Sequence, residues 1–152
     1  MKSLLALQRH LQDERDRAAA AWQAANNAQL AIEAQYEQLL AYRREYETRW
    51  SHQFSTQGEM ELVRSYHGFM LRLTQAVEHQ HGTVQSAGTR AGKARAQLRE
   101  REMRVAAVCK LIERRAQQGR VATGRREQKF NDEMAARELH DSAFQHGSTS
   151  RL

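Results

Sequence analysis

The sequence predicts an all-α protein: two long helices in an antiparallel coiled coil, with the second helix extending past the first. Three observations predict it. Ala, Glu, Lys, Leu and Arg supply 75 of 152 residues, a composition typical of long helices. Proline is absent, so no position lacks the amide proton that a helix needs. Apolar residues recur at steps of three and four through two long stretches, which is the period of a coiled-coil seam. Leu, Ile, Val and Phe number only 26, too few for a broad globular core, so the fold must rely on a narrow one.

The first helix is expected over residues 1–54. From Leu4 the seam steps through Leu7, Leu11, Glu14, Ala18, Ala21, Ala25, Ala28, Ile32, Gln35, Leu39, Tyr42, Tyr46 and Arg49, and eleven of these fourteen positions are apolar or aromatic. Its alanine middle permits close approach but buries little area per residue. The pattern lapses near Ser51, and a connection is expected over residues 55–58. There Thr56-Gln57-Gly58-Glu59 fits a capping box, in which threonine and the glutamate three residues on satisfy free amides at a helix start.

A paired second helix is expected over residues 59–112. Its seam runs Leu62, Tyr66, Phe69, Leu73, Ala76 and Gln80, then needs two successive steps of four to reach Val84, a stutter that unwinds the supercoil locally. It continues through Ala87, Ala91, Ala94, Leu98, Arg101, Val105, Val108 and Ile112. A short connection makes the helices antiparallel, with residue i near 113 − i and Leu4 near Cys109. Residues 113–144 are expected to form an unpaired basic helical extension, marginal in isolation, and residues 145–152 a flexible tail.

Charge is uneven: −1 over residues 1–60, 0 over 61–89, +9 over 90–130 and −2 over 131–152. Such a basic band attracts phosphate, but no aromatic residue lies between Phe69 and Phe130 to stack on bases. Arg90, Lys93, Arg95, Arg99, Arg101 and Arg104 also wind around the helix. No specific nucleic acid is therefore expected as a partner. The single cysteine, Cys109, rules out a disulfide framework and suits a reducing compartment. Gln8, Arg9 and His10 end the first apolar stretch too early for a signal peptide, and no run approaches the roughly 20 apolar residues of a membrane span. These features place the protein in the cytoplasm.

Catalysis needs side chains converging in a concave site, which two paired helices do not offer. The seven histidines are scattered, and His79 and His81 point to different helix faces. No phosphate-binding glycine loop is present. The expectation is no enzyme, no catalytic residue, no metal and no cofactor. The rings form the most informative group: Tyr42 and Tyr46 near the end of one helix, Tyr66 and Phe69 near the start of the other, with Tyr36, Trp50 and Phe54 close by. Packing across the turn accounts for any one of them. Their number exceeds what a narrow seam hides, which points to a protein interface.

Three stretches resemble one family. Gln35-Tyr-Glu-Gln-Leu-Leu-Ala-Tyr42-Arg-Arg-Glu-Tyr46 is similar to its first-helix signature, and Tyr66-His-Gly-Phe69-Met-Leu-Arg-Leu73-Thr-Gln-Ala76-Val-Glu-His-Gln80 to the start of its second helix. Lys110-Leu-Ile-Glu-Arg-Arg115, followed by Arg126-Glu-Gln-Lys129-Phe-Asn-Asp-Glu133-Met-Ala-Ala-Arg137, looks like its C-terminal pattern. The family is FliJ, of the bacterial flagellar type III export apparatus. The resemblance spans roughly residues 4–139.

The resemblance implies a non-enzymatic stalk similar to the gamma subunit of rotary ATP synthases. It implies three partners: the flagellar export ATPase ring, the FlhA-type export-gate protein, and chaperones of late export substrates. It implies only peripheral association with the membrane, through the apparatus. The gate-contact set carries onto Gln35, Leu39, Tyr42, Tyr46, Phe69, Leu73, Ala76 and Gln80, although some relatives have histidine where this chain has Gln80. Because this set lies on the predicted seam, the polar ends of Gln35, Tyr42, Tyr46 and Gln80 are expected at the rim of a shallow groove. An ATPase-facing basic end is expected at Arg114, Arg115, Arg120, Arg125, Arg126 and Lys129. A virulence-secretion stalk of the YscO group, a generic coiled-coil adaptor and a basic nucleic-acid-binding rod are the alternative readings.

Overall fold

A computed structural model describes residues 1–56 and 59–147. They form two helices, α1 over Lys2–Thr56 and α2 over Met60–Gly147, with no strand among the described residues. The helices pack against each other as an antiparallel coiled coil, as the heptads predict. The expected capping box of Thr56 and Glu59 spans Gln57 and Gly58, which lie outside the described residues, as do residues 148–152 of the expected tail, whereas residues 145–147 are the end of α2. The chain divides into two compact units, one comprising Met1–Gln8 with Ala106–Leu152 and the other Arg9–Val105.

In the unit Arg9–Val105, Glu14 faces Arg101, Gln35 faces Gln80 and Tyr46 faces Phe69. These pairs place residue i opposite 115 − i, two residues from the predicted alignment. The inward positions differ from prediction more than the alignment does. Leu11, Ala18, Ala25, Ile32, Leu39 and Tyr46 are at least half-buried as expected, but they alternate with Arg15, Trp22, Gln29, Tyr36, Arg43 and Trp50. Ala21, Ala28, Gln35, Tyr42 and Arg49 of the predicted seam are exposed. Both choices keep a heptad, because residues three and four along a helix flank the same stripe. Alanine supplies little area to decide between them. The large rings of Trp22, Tyr36 and Trp50, spaced by fourteen residues, decide it.

On α2 the same correction removes the predicted stutter. Val63, Met70, Val77, Val84, Ala91, Leu98 and Val105 recur every seven residues and are all buried or half-buried. Tyr66, Leu73, Gln80, Ala87, Ala94 and Arg101 fill the alternate positions. Val77 is 5% exposed, whereas Ala76, predicted for the seam, lies outside it. The buried core of this unit is small: Leu73, Val77, Ala87, Ala91 and Val105. Two helices can shield only one stripe of each other, so most seam residues stay half-exposed. Arg101 crosses to Glu14 at 3.0 Å, and His10 approaches the other oxygen of the same carboxylate at 3.4 Å.

In the unit Met1–Gln8 with Ala106–Leu152, Leu4 is buried and the Gln8 side-chain amide donates to the Cys109 sulfur at 3.3 Å. Cys109 is half-buried and behaves there as a small apolar residue. Ile112 and Ala116 are the last half-buried side chains of α2, and those of residues 117–146 are exposed. The helix nevertheless continues through Gly119 and Gly124 to Gly147.

Candidate functional site

Within Arg9–Val105 the predicted contact residues form two equivalent rows. Gln35, Leu39, Tyr42 and Tyr46 follow steps of four, three and four along α1, and Phe69, Leu73, Ala76 and Gln80 do the same along α2. That spacing keeps each row on one helix face. Antiparallel pairing brings the rows together on the same flank of the seam. The structure separates their members by depth. Gln35, Tyr42 and Ala76 are exposed, Leu39, Tyr46, Phe69 and Gln80 are half-buried, and Leu73 is buried. The predicted conflict between packing and binding is thereby reduced, since Gln35 and Tyr42 lie beside the seam.

Gln35, Gln38, Leu39, Tyr42 and Gln80 line one open groove of about 480 Å³. Gln80 closes its α2 side, with its side-chain amide 3.4 Å from both the Ile32 carbonyl and the Gln35 side-chain oxygen. Part of the hydrogen-bonding capacity of Gln80 is therefore spent on tying the helices together. Gln38 belongs to the groove but was not predicted. It lies three residues after Gln35, a spacing that could have revealed it.

At the other end of the rows, the Tyr46 and Phe69 rings stack at 4.4 Å. Tyr42 leans on both, with centroids 5.1 Å from Tyr46 and 6.4 Å from Phe69. Nearer the turn, Trp50, Phe54 and Tyr66 form a second cluster with centroids 5.2–5.4 Å apart. The seam half-buries these three rings together with Tyr46 and Phe69, leaving Tyr42 as the most exposed ring of the group at 44%. Lost hydration, then its hydrogen bond to Tyr46 and the neighbouring Tyr46 and Glu45 charges, hold the Tyr42 phenol above its ordinary pKa of 10.0, against an opposing pull from Arg49. Tyr42 therefore remains a neutral hydrogen-bonding group near neutral pH. The groove offers an apolar floor at Leu39 with amide and phenol groups around it. Such a surface suits an apolar side chain presented by a polar peptide.

The six predicted basic residues all lie in the other unit and are exposed. At 100° per residue, Arg114, Arg115, Arg125, Arg126 and Lys129 fall within about 120° of the helix circumference, with Arg120 outside that sector. Among the described residues no ion pair neutralises any of the six. By contrast, Arg101 and Arg104 of the upstream basic band pair with Glu14 and Glu100.

No group of His, Cys, Asp or Glu among the described residues could hold a metal ion, and no helix there is long and apolar enough to cross a membrane. No curated protein and no solved structure matches the chain. The family profile described as flagellar FliJ protein matches residues 1–143, nearly the full length of the two-helix structure. The chain belongs to the FliJ family of flagellar export components.

Proposed function

We propose that this chain is a non-enzymatic coiled-coil stalk linking the flagellar export ATPase ring to an FlhA-type export-gate protein, and that it escorts export chaperones. It works in the cytoplasm, at the inner face of the membrane at the flagellar base, and is held there through the apparatus. The observation that carries this reading is the exposed Tyr42 beside the groove of Gln35, Leu39 and Gln80, in a chain matched by the family almost throughout. Gate binding uses the exposed edge of the row, with Leu73 supporting it from beneath. ATPase contact uses Arg114, Arg115, Arg120, Arg125, Arg126 and Lys129, which complement an acidic surface.

The test is a pull-down with the cognate ATPase and the cytoplasmic part of the gate protein. Gln35→Ala with Tyr42→Ala removes exposed groups beside the seam and leaves its buried and half-buried residues unchanged, while truncation after Ile112 removes the basic end. The expected result is loss of gate binding in the first variant and loss of ATPase binding in the second, both with helicity retained. Failure of the wild type to bind either partner refutes the stalk reading.

A further inference from the structure

The exposed part of α2 is a bipolar helix. Residues 113–129 contain six Lys and Arg against two Glu, a net +4, and residues 130–147 contain four Asp and Glu against one Arg, a net −3. The two halves are almost equal in length, and the division falls at Phe130. One exposed stripe of this helix carries Gly119 and Thr123 in the basic half and Met134, Arg137, Asp141 and Phe144 in the acidic half, with Phe130 between them at 62% exposure.

We propose that residues 113–147 bind a second copy of the same segment as an antiparallel pair centred on Phe130. Residue i then lies opposite 260 − i of the partner copy. Under that rule Phe130 meets its symmetry mate, and the basic half of each copy lies along the acidic half of the other. The net charges of the two halves are complementary under one operation, and the contact is isologous and closed. A parallel pair sets like charge against like charge along its whole length and is disfavoured. Pairing also covers Phe130, Met134 and Phe144, which a lone helix leaves in water, where a segment of this composition is marginal. The self-paired state covers Arg126, which the proposed ATPase contact also needs, so dimer and ATPase compete at the edge of one surface.

Sedimentation equilibrium of the full chain at low salt tests the pairing without any ATPase, so it can fail independently of the stalk reading. The wild type is expected to dimerise and to dissociate as salt rises. Arg125→Glu with Arg126→Glu takes the basic half from +4 to 0, and Asp132→Lys with Glu133→Lys takes the acidic half from −3 to +1. Each change removes the attraction between the halves, raising the dimer dissociation constant by more than about tenfold. An equimolar mixture of the two variants is expected to form a heterodimer. A monomeric wild type at low salt, or variants that dimerise like the wild type, overturns the proposal. Disulfide trapping in a Cys109→Ser background reads the orientation. Phe130→Cys is expected to cross-link to itself and Thr123→Cys to Arg137→Cys. Self-cross-linking of Thr123→Cys overturns the antiparallel arrangement.

Discussion

Replacing Val77 with alanine tests the inward register of α2 at the position where it departs most from a simple apolar count. Val77 is 5% exposed and sits in the seven-residue series of Val63, Met70, Val84 and Ala91, whereas its neighbour Ala76 is exposed. Val77→Ala removes two methyl-sized groups from that contact. At about 0.8 kcal/mol per group plus a cavity contribution, the expected cost is about 1.5–2.5 kcal/mol. Ala76→Gln changes a solvent-facing position and is expected to cost about 0.5 kcal/mol, mainly through helix propensity. Urea unfolding followed by far-ultraviolet circular dichroism resolves the two, provided the denaturant slope is unchanged between variants. For a chain of this length each kcal/mol also lowers the melting temperature by roughly 2–4 °C. If Ala76→Gln destabilises as much as Val77→Ala, the register is wrong and the seam passes through Ala76.

Three further outcomes follow from the packing. Glu14→Gln and Arg101→Met, combined in a double-mutant cycle of urea melts, are expected to couple by about 0.5–1 kcal/mol, because the pair crosses between helices at 3.0 Å yet remains partly solvated. Ultraviolet titration of phenolate, taken as the difference between wild type and Tyr42→Phe, is expected to show Tyr42 ionising above pH 10.0. The folded state then holds that proton more tightly than the unfolded state, so the contribution to stability is complete below pH 10 and falls as pH rises beyond it. Glu45→Gln should move this titration down and Arg49→Ala should move it up. Gly92→Ala is expected to raise stability by about 1 kcal/mol in the same urea melts, since a Cβ there meets nothing within 4 Å.

The fold class was legible because it rests on coarse features: helix-forming composition, no proline, and two heptad stretches able to pair. The inward phase of each heptad was less legible. In α1 the run Ala18–Ala21 is apolar at every phase, so a count of apolar residues cannot choose among them, and Leu7 and Tyr42 favoured the phase that proved to be outward. The deciding signals are present in the sequence at longer range, in the ring spacing of Trp22, Tyr36 and Trp50 and in the aliphatic series from Val63 to Val105. A seam of half-buried residues admits Arg15 and Arg43 because long side chains can pack their stems and keep their charges wet, so polarity alone was a poor guide to orientation. For the candidate site, helical spacing was enough to collect both rows on one flank. Depth was not legible, since whether Leu73 is buried and Tyr42 exposed depends on the rotation of each helix about its own axis.

The alanine-rich stretch has a consequence for how the unit Arg9–Val105 opens. Ala18, Ala25, Ala87, Ala91 and Ala94 contribute little area to each other, and Gly88 contributes none of its own beyond a 3.5 Å approach to Gln29 available to an added Cβ. The ring clusters of Tyr46 with Phe69, and of Trp50, Phe54 and Tyr66, bury far more per residue. Protection of backbone amides against hydrogen exchange should therefore be graded along the unit, highest beside the rings and lowest across residues 18–28 and 87–97. Separation begins as an internal bubble while the aromatic end stays zipped. Re-zipping then needs no search for register, because the rings keep it.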